Sequence, residues 1–157
     1  MLLGNILLAL SWAAFQRSFS LANLLIGYFM GYVVLVFLVK GGVLAPSSYI
    51  GKLRLAVGLA GFFAWELVLA NIRLALDVAT PRFQMTPGIL AIPLDATRDS
   101  EILLLAILIN LTPGSVALDV SEDRKVMYVH AMYIRDPEAT RIDIKTGFER
   151  RVIQLLG

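Results

Sequence analysis

The sequence predicts a membrane protein with two long transmembrane helices plus a short apolar N-terminal helix, followed by a small α+β domain of order β-α-β-β-α. Three observations predict this. From Ser18 to Val39 the chain runs 22 residues without a charge, bracketed by Arg17 and Lys40. At ~1.5 Å per helical residue, such a run crosses the ~30 Å hydrocarbon core of a bilayer, where the backbone must satisfy its own hydrogen bonds. Only seven of the 26 charged residues precede residue 81. Beyond that point the apolar pattern breaks into short runs separated by turn formers, the mark of strands and short helices. The expected division is a membrane-embedded helical region over residues 1–80 and a soluble domain over residues 81–157.

Met1–Phe15 is apolar and uncharged, but as a helix it reaches only about 22 Å. It fits a thinned or tilted half-crossing, or a helix packed within a larger assembly. It lacks the basic n-region and cleavage site of a signal peptide, so it is expected to be retained. The second segment is the uncharged run itself. The third, Leu53–Ala79, is apolar for most of its length but contains Glu66, Asn71, Arg73 and Asp77. The link Lys40–Lys52 is rich in turn formers, including Gly41, Gly42, Pro46 and Gly51. Lys40, Lys52 and Arg54 favour a cytoplasmic link and Arg73 and Arg82 the opposite, so charge leaves the orientation open.

After Thr80-Pro81, Gly88–Asp95 reads as a strand with Ile89, Ala91 and Pro93 on one face, the proline limiting it to an edge or a strand end. Arg98–Asn110 reads as a helix started by Thr97 or Asp99 and stopped before Pro113, with a buried strand as the alternative for Ile102–Ile109. Ser115–Ser121 alternates Val116, Leu118 and Val120 against Ala117, Asp119 and Ser121. Ser121–Lys125 turns, and Val126–Ile134 returns to complete a β-hairpin. Asp136-Pro137 opens a final amphipathic helix to Leu156, weakened in its middle by Gly147. This order is close to a ferredoxin-like split unit without its last strand. Thr-Pro-Gly precedes a strand twice, at residues 86–88 and 112–114, as a turn device.

Composition excludes several chemistries. Cysteine is absent and His130 is the single histidine, which removes disulfides, thiol nucleophiles and multi-histidine metal or haem sites. Residues 81–157 carry nine bases and ten acids, too balanced for a nucleic-acid domain. The pI of 9.1 reflects bases at membrane ends. No phosphate loop, nucleophile elbow or metal cluster occurs. The chain is expected to be no enzyme, to need no cofactor and no metal, and to partner the lipid bilayer and other proteins but no nucleic acid.

The candidate ion or interface residues lie on the third segment. On a helix Glu66, Arg73 and Asp77 fall within about 20° of one line, and Arg73 and Asp77 can pair at i, i+4. Charge on a spanning helix costs several kcal/mol unless paired or wet, so these groups, with Asn71, should face protein or water. Glu66, the deepest, is either a proton- or cation-handling group or a structural carboxylate satisfied by a neighbouring subunit. Ala56, Ala60 and Ala64 form a small-residue stripe, and Gly27 and Gly31 a Gly-x-x-x-Gly, both suited to close helix packing. In the hairpin, His130 is expected diagonal to Asp119 on one face, a candidate proton-handling pair or a plain surface pair.

The run Asn110-Leu-Thr-Pro-Gly-Ser-Val-Ala-Leu-Asp-Val, followed by Met127-Tyr-Val-His-Ala, resembles the signature of the E subunit of multisubunit Mrp/Mnh/Pha-type monovalent cation (Na⁺ or K⁺)/proton antiporters. The resemblance covers nearly the whole chain, including the Asn23–Gly27 stretch, the Glu66 helix and the hairpin motif Asn110, Thr112, Pro113, Gly114, Asp119 and His130. Ser115 stands where the family more often has threonine, and both carry a hydroxyl. The resemblance implies a multi-pass subunit of a bacterial inner-membrane complex that exchanges cytoplasmic Na⁺ or K⁺ for external protons. It implies an assembly and support role, with a share in the cation path as the further option, and a cytoplasmic carboxy-terminal domain. Two other readings stand beside it: a membrane-tethered protein-binding module, and the related subunit of a membrane-bound hydrogenase-type complex.

Overall fold

A computed structural model of the chain describes residues 1–45, 48–80 and 85–157. The expectations placed on Pro46, Pro81 and Arg82 lie outside the described residues. Contacts divide the chain into two units, Met1–Arg54 and Leu55–Gly157. The change of composition lies at residue 80, whereas the packing boundary falls inside the third helix.

In the first unit, α1 (Leu2–Phe15) and α2 (Leu21–Lys40) form a helical hairpin. Arg17, with φ of +51°, turns the chain, and Ser20 caps α2 by accepting from the Asn23 N–H at 3.3 Å. The side-chain amide of Asn23 donates back to the Ser18 carbonyl at 3.1 Å, closing the turn. The two helices approach through their smallest residues. A Cβ on Gly27 would lie 2.9 Å from the Ala9 carbonyl oxygen and from the Trp12 Cβ, and one on Gly31 would overlap the Asn5 amide. At Gly27 and Gly31 helix α2 therefore approaches the chain's own first helix closely. Buried Asn5 donates to the Tyr49 hydroxyl at 2.8 Å, and Tyr49 and Tyr28 share a hydrogen bond of 2.6 Å.

Helix α3 (Ser48–Ala79) begins five residues earlier than expected. Gly51 in its first turn is only a weak breaker, and Tyr49 is tied to Asn5 and Tyr28. Both α2 and α3 are long and apolar enough to cross a membrane.

In the second unit, the rest of α3 is followed by β1 (Gly88–Pro93), α4 (Asp99–Leu111), β2 (Ser115–Val120), β3 (Val126–Ala131), α5 (Pro137–Ile144), a π-helical turn (Lys145–Glu149) and α6 (Arg150–Leu156). The sheet order is β1-β3-β2 with antiparallel neighbours, so β3 lies between two parallel strands joined through α4. This is the expected split unit lacking a fourth strand. Leu90 and Ala117 flank Val129, and Ile92 and Val120 flank Met127, on the face that packs against Ile102, Leu105, Ile109, Phe148 and Val152.

Four local expectations are corrected. The helix read over Arg98–Asn110 is present, but neither Thr97 nor Asp99 caps it. Arg98 is the N-cap residue, and buried Glu101 reaches back to accept from the N–H groups of Thr97 and Arg98 at 3.1 and 3.2 Å. In β2, a bulge between Ala117 and Asp119 breaks the alternation. Leu118 is the extra residue, so Val120 joins Ala117 on the core side while Asp119 joins Val116 outside. Strand β3 ends at Ala131, and the segment beyond it meets the sheet through Thr86, whose carbonyl accepts from Ile134 at 2.9 Å. The final helix is interrupted by a π-helical turn that contains Gly147, where a Cβ would lie 3.1 Å from the Phe62 ring.

Candidate functional site

Helix α3 carries its charged line along the α+β elements. Phe62 sets the approach: its ring meets Phe148 edge-on at 5.2 Å, and the Arg151 guanidinium lies 3.9 Å over its centroid. Arg151 also donates to the carbonyls of Thr146 and Gly147 at 3.1 and 2.7 Å, groups that the π-helical turn presents. Above this contact lies a cleft of about 520 Å³. Glu66 and Arg73 enter it from α3, Thr112, Pro113, Gly114 and Ser115 from the turn before β2, and Tyr133, Asp143 and Arg151 from beyond β3. Two separate groups of sequence candidates, the charged helix and the Thr-Pro-Gly turn, thus share one cavity.

Asp77, one turn beyond Arg73, accepts a short hydrogen bond from the Tyr133 hydroxyl. That bond, with burial and the carboxylate's charge, holds the Tyr133 phenol above its ordinary value of 10.0. The expected Arg73–Asp77 ion pair is not formed among the described residues, since Tyr133 takes the carboxylate instead. Asn71 turns away from the cleft and donates to the Leu67 carbonyl at 2.6 Å.

The turn's polar atoms are occupied by backbone. The Thr112 hydroxyl donates to the Leu108 carbonyl at 2.9 Å, and that of Ser115 donates to Ile109 and Thr112 at 2.9 and 3.1 Å, closing the carboxyl end of α4. Gly114 has φ of +89°, a conformation that glycine adopts without strain. The Asn110 side-chain oxygen accepts from the Ala117 N–H at 2.7 Å, on the bulged strand. Asp119 takes the Val120 N–H at 2.8 Å.

His130 lies opposite Ile89 on β1 and Val116 on β2, and diagonal to Asp119, which faces Tyr128. This pair is on the outer face of the sheet and outside the cleft. Of the alanine stripe, Ala56 is half-buried while Ala60 and Ala64 are exposed. Among the described residues no group of three or more His, Asp or Glu is placed to hold a metal ion. Sequence reading missed Phe62, Tyr133, Phe148 and Arg151. Gly147 in mid-helix was the one available signal, since a glycine there marks a close approach.

A family model described as Na⁺/H⁺ ion antiporter subunit matches residues 5–155. The chain is 36% identical to the Na⁺/H⁺ antiporter E subunit of Bacillus subtilis (strain 168), covering 96% of this chain and 94% of the relative. It is 36% identical to the antiporter E subunit of Alkalihalophilus pseudofirmus, covering 98% and 96%. A chain of the Mrp complex from Dietzia sp. DQ12-45-1b superposes with a TM-score of 0.50 at 28% identity, over 67% of this chain and 97% of that one. A chain of an archaeal membrane-bound sulfane sulfur reductase shares the fold, with a TM-score of 0.57 at 23% identity over 96% and 95%. The match spans both the helical region and the hairpin that carries Asn110–Val120, and the chain belongs to the Na⁺/H⁺ ion antiporter subunit family.

Proposed function

We propose that this chain is the E-type subunit that supports assembly of a multisubunit antiporter in the bacterial cell membrane. In this reading residues 1–80 hold it among the membrane subunits and residues 81–157 face the cytoplasm. The complex as a whole exchanges cytoplasmic Na⁺ or K⁺ for external protons. The chain has no catalytic role of its own. The observation that carries this reading is the state of the charged line on α3. Asp77 is answered by Tyr133 within the chain, and Glu66 and Arg73 border a cleft whose hydroxyls at Thr112 and Ser115 are spent on backbone. A proton or cation relay needs a succession of exchangeable groups, whereas this arrangement fixes geometry.

Glu66 decides between support and a share in the cation path. As a structural group, Glu66→Gln keeps shape and some hydrogen bonding and should retain most antiport. Glu66→Ala should lower complex content by removing a half-buried partner group, at a scale of about 1–3 kcal/mol. Antiport in everted membrane vesicles, normalised to complex content by blotting, is the test. An assembled but inactive Gln variant would place Glu66 in the ion path.

A further inference from the structure

We propose that the outer face of the three-stranded sheet is the seat of another protein subunit, one that presents an apolar surface with a base opposite Asp119; this rests on the chain's place in a multisubunit complex. The helices cover one face of the sheet only. On the other, Ile89, His130 and Val116 form one row across the strands and Ala91, Tyr128 and Asp119 the next, with Leu118 of the bulge beside them. Ile89 is 64% exposed, Leu118 52%, Val116 45% and Tyr128 40%. This is a contiguous apolar patch rather than scattered side chains.

The chemistry of the patch selects its occupant. No lysine or arginine occurs in β1, β2 or β3, whereas a surface meeting anionic lipid carries bases. An added strand is opposed at both edges. On β1, Arg141 Nε and Lys145 Nζ donate to the carbonyls of Ala91 and Pro93 at 3.0 and 2.8 Å. On β2, Asn110 takes the Ala117 N–H. Such capping blunts edge pairing, so the partner meets the face and not an edge. A second copy of this chain would bring a like face with an Asp119 of its own and no lysine or arginine in the strands to answer it, His130 already lying diagonal to the Asp119 of its own sheet. A different protein, apolar with one or two bases, complements the patch in both shape class and charge.

The test uses the whole complex, captured through an affinity tag on this chain, with a photo-reactive benzoylphenylalanine at Leu118 and, for comparison, at exposed Gln154 on α6. The expected result is a cross-link from position 118 to another subunit of the complex, absent or weaker from position 154. Leu118→Glu and Asp119→Lys should each lower the co-purified subunits by about tenfold or more. Cross-links only to lipid, only to a second copy, or to nothing, from a complex that still co-purifies, overturn the proposed seat and leave the subunit role standing. Failure of the unsubstituted tagged chain to bring down any antiporter subunit overturns both.

Discussion

Asp77 and Tyr133 show how a charge on an apolar helix is answered from within the chain. The phenol donates and the carboxylate accepts, so the contact needs a protonated tyrosine. Because the folded value of Tyr133 is raised above its ordinary 10.0, the contact is fully present below about pH 10. It is lost only as pH climbs through the raised value. The contact should therefore survive alkaline conditions that ionise free tyrosine. Tyr133→Phe should destabilise the full chain by about 1 kcal/mol, the discounted scale for a hydrogen bond to a partly exposed charge. Its penalty should shrink as pH rises beyond about 10. Thermal melts in detergent, wild type against Tyr133→Phe across that range, check both statements. A penalty that persists unchanged at high pH would show that the hydroxyl is not what matters.

At the scale of elements, the hairpin of α1 and α2 depends on glycine. A side chain at Gly31 must displace Asn5 and Leu8, and one at Gly27 must displace the backbone at Ala9. Gly31→Leu should cost about 1–3 kcal/mol and lower the steady-state amount of the complex, read by blotting. Wild-type levels would mean that these helices do not pack through this seam. Gly114, at φ of +89°, makes the parallel case among the α+β elements. Gly114→Val should reduce assembly while leaving the apparent ion affinity of the remaining complex unchanged. Normal complex with weakened ion affinity would contradict the structural role of the turn.

The helices, the β-α-β-β-α order and the sheet's split topology were legible in the sequence because apolar period and turn chemistry are local signals. The bulge at Leu118 was not, since one inserted residue leaves the alternation of Val116, Leu118 and Val120 intact on paper. The docking of Phe62 on Phe148 and Arg151, and the exchange of Arg73 for Tyr133 as partner of Asp77, join residues far apart in sequence. Spacing along one helix carries no trace of them. Asn110, Thr112 and Ser115 are recognisable as parts of a turn motif, but their use in closing α4 and capping β2 required the register.

For the whole molecule, the pattern is of groups that hold geometry: close glycine approaches in the α1–α2 hairpin, an aromatic and cationic clasp on α3, and side chains that cap carbonyls of β1 and an N–H of β2. The purified chain reconstituted alone in liposomes should carry out no cation/proton exchange. The most direct measurement varies the amount of this chain in cells by graded expression, then plots antiport in everted vesicles against the content of assembled complex. Support of assembly predicts that activity and complex content fall together, with their ratio constant. A full complement of the other subunits, assembled yet inactive when this chain is depleted, would contradict the account and place the chain in the ion path.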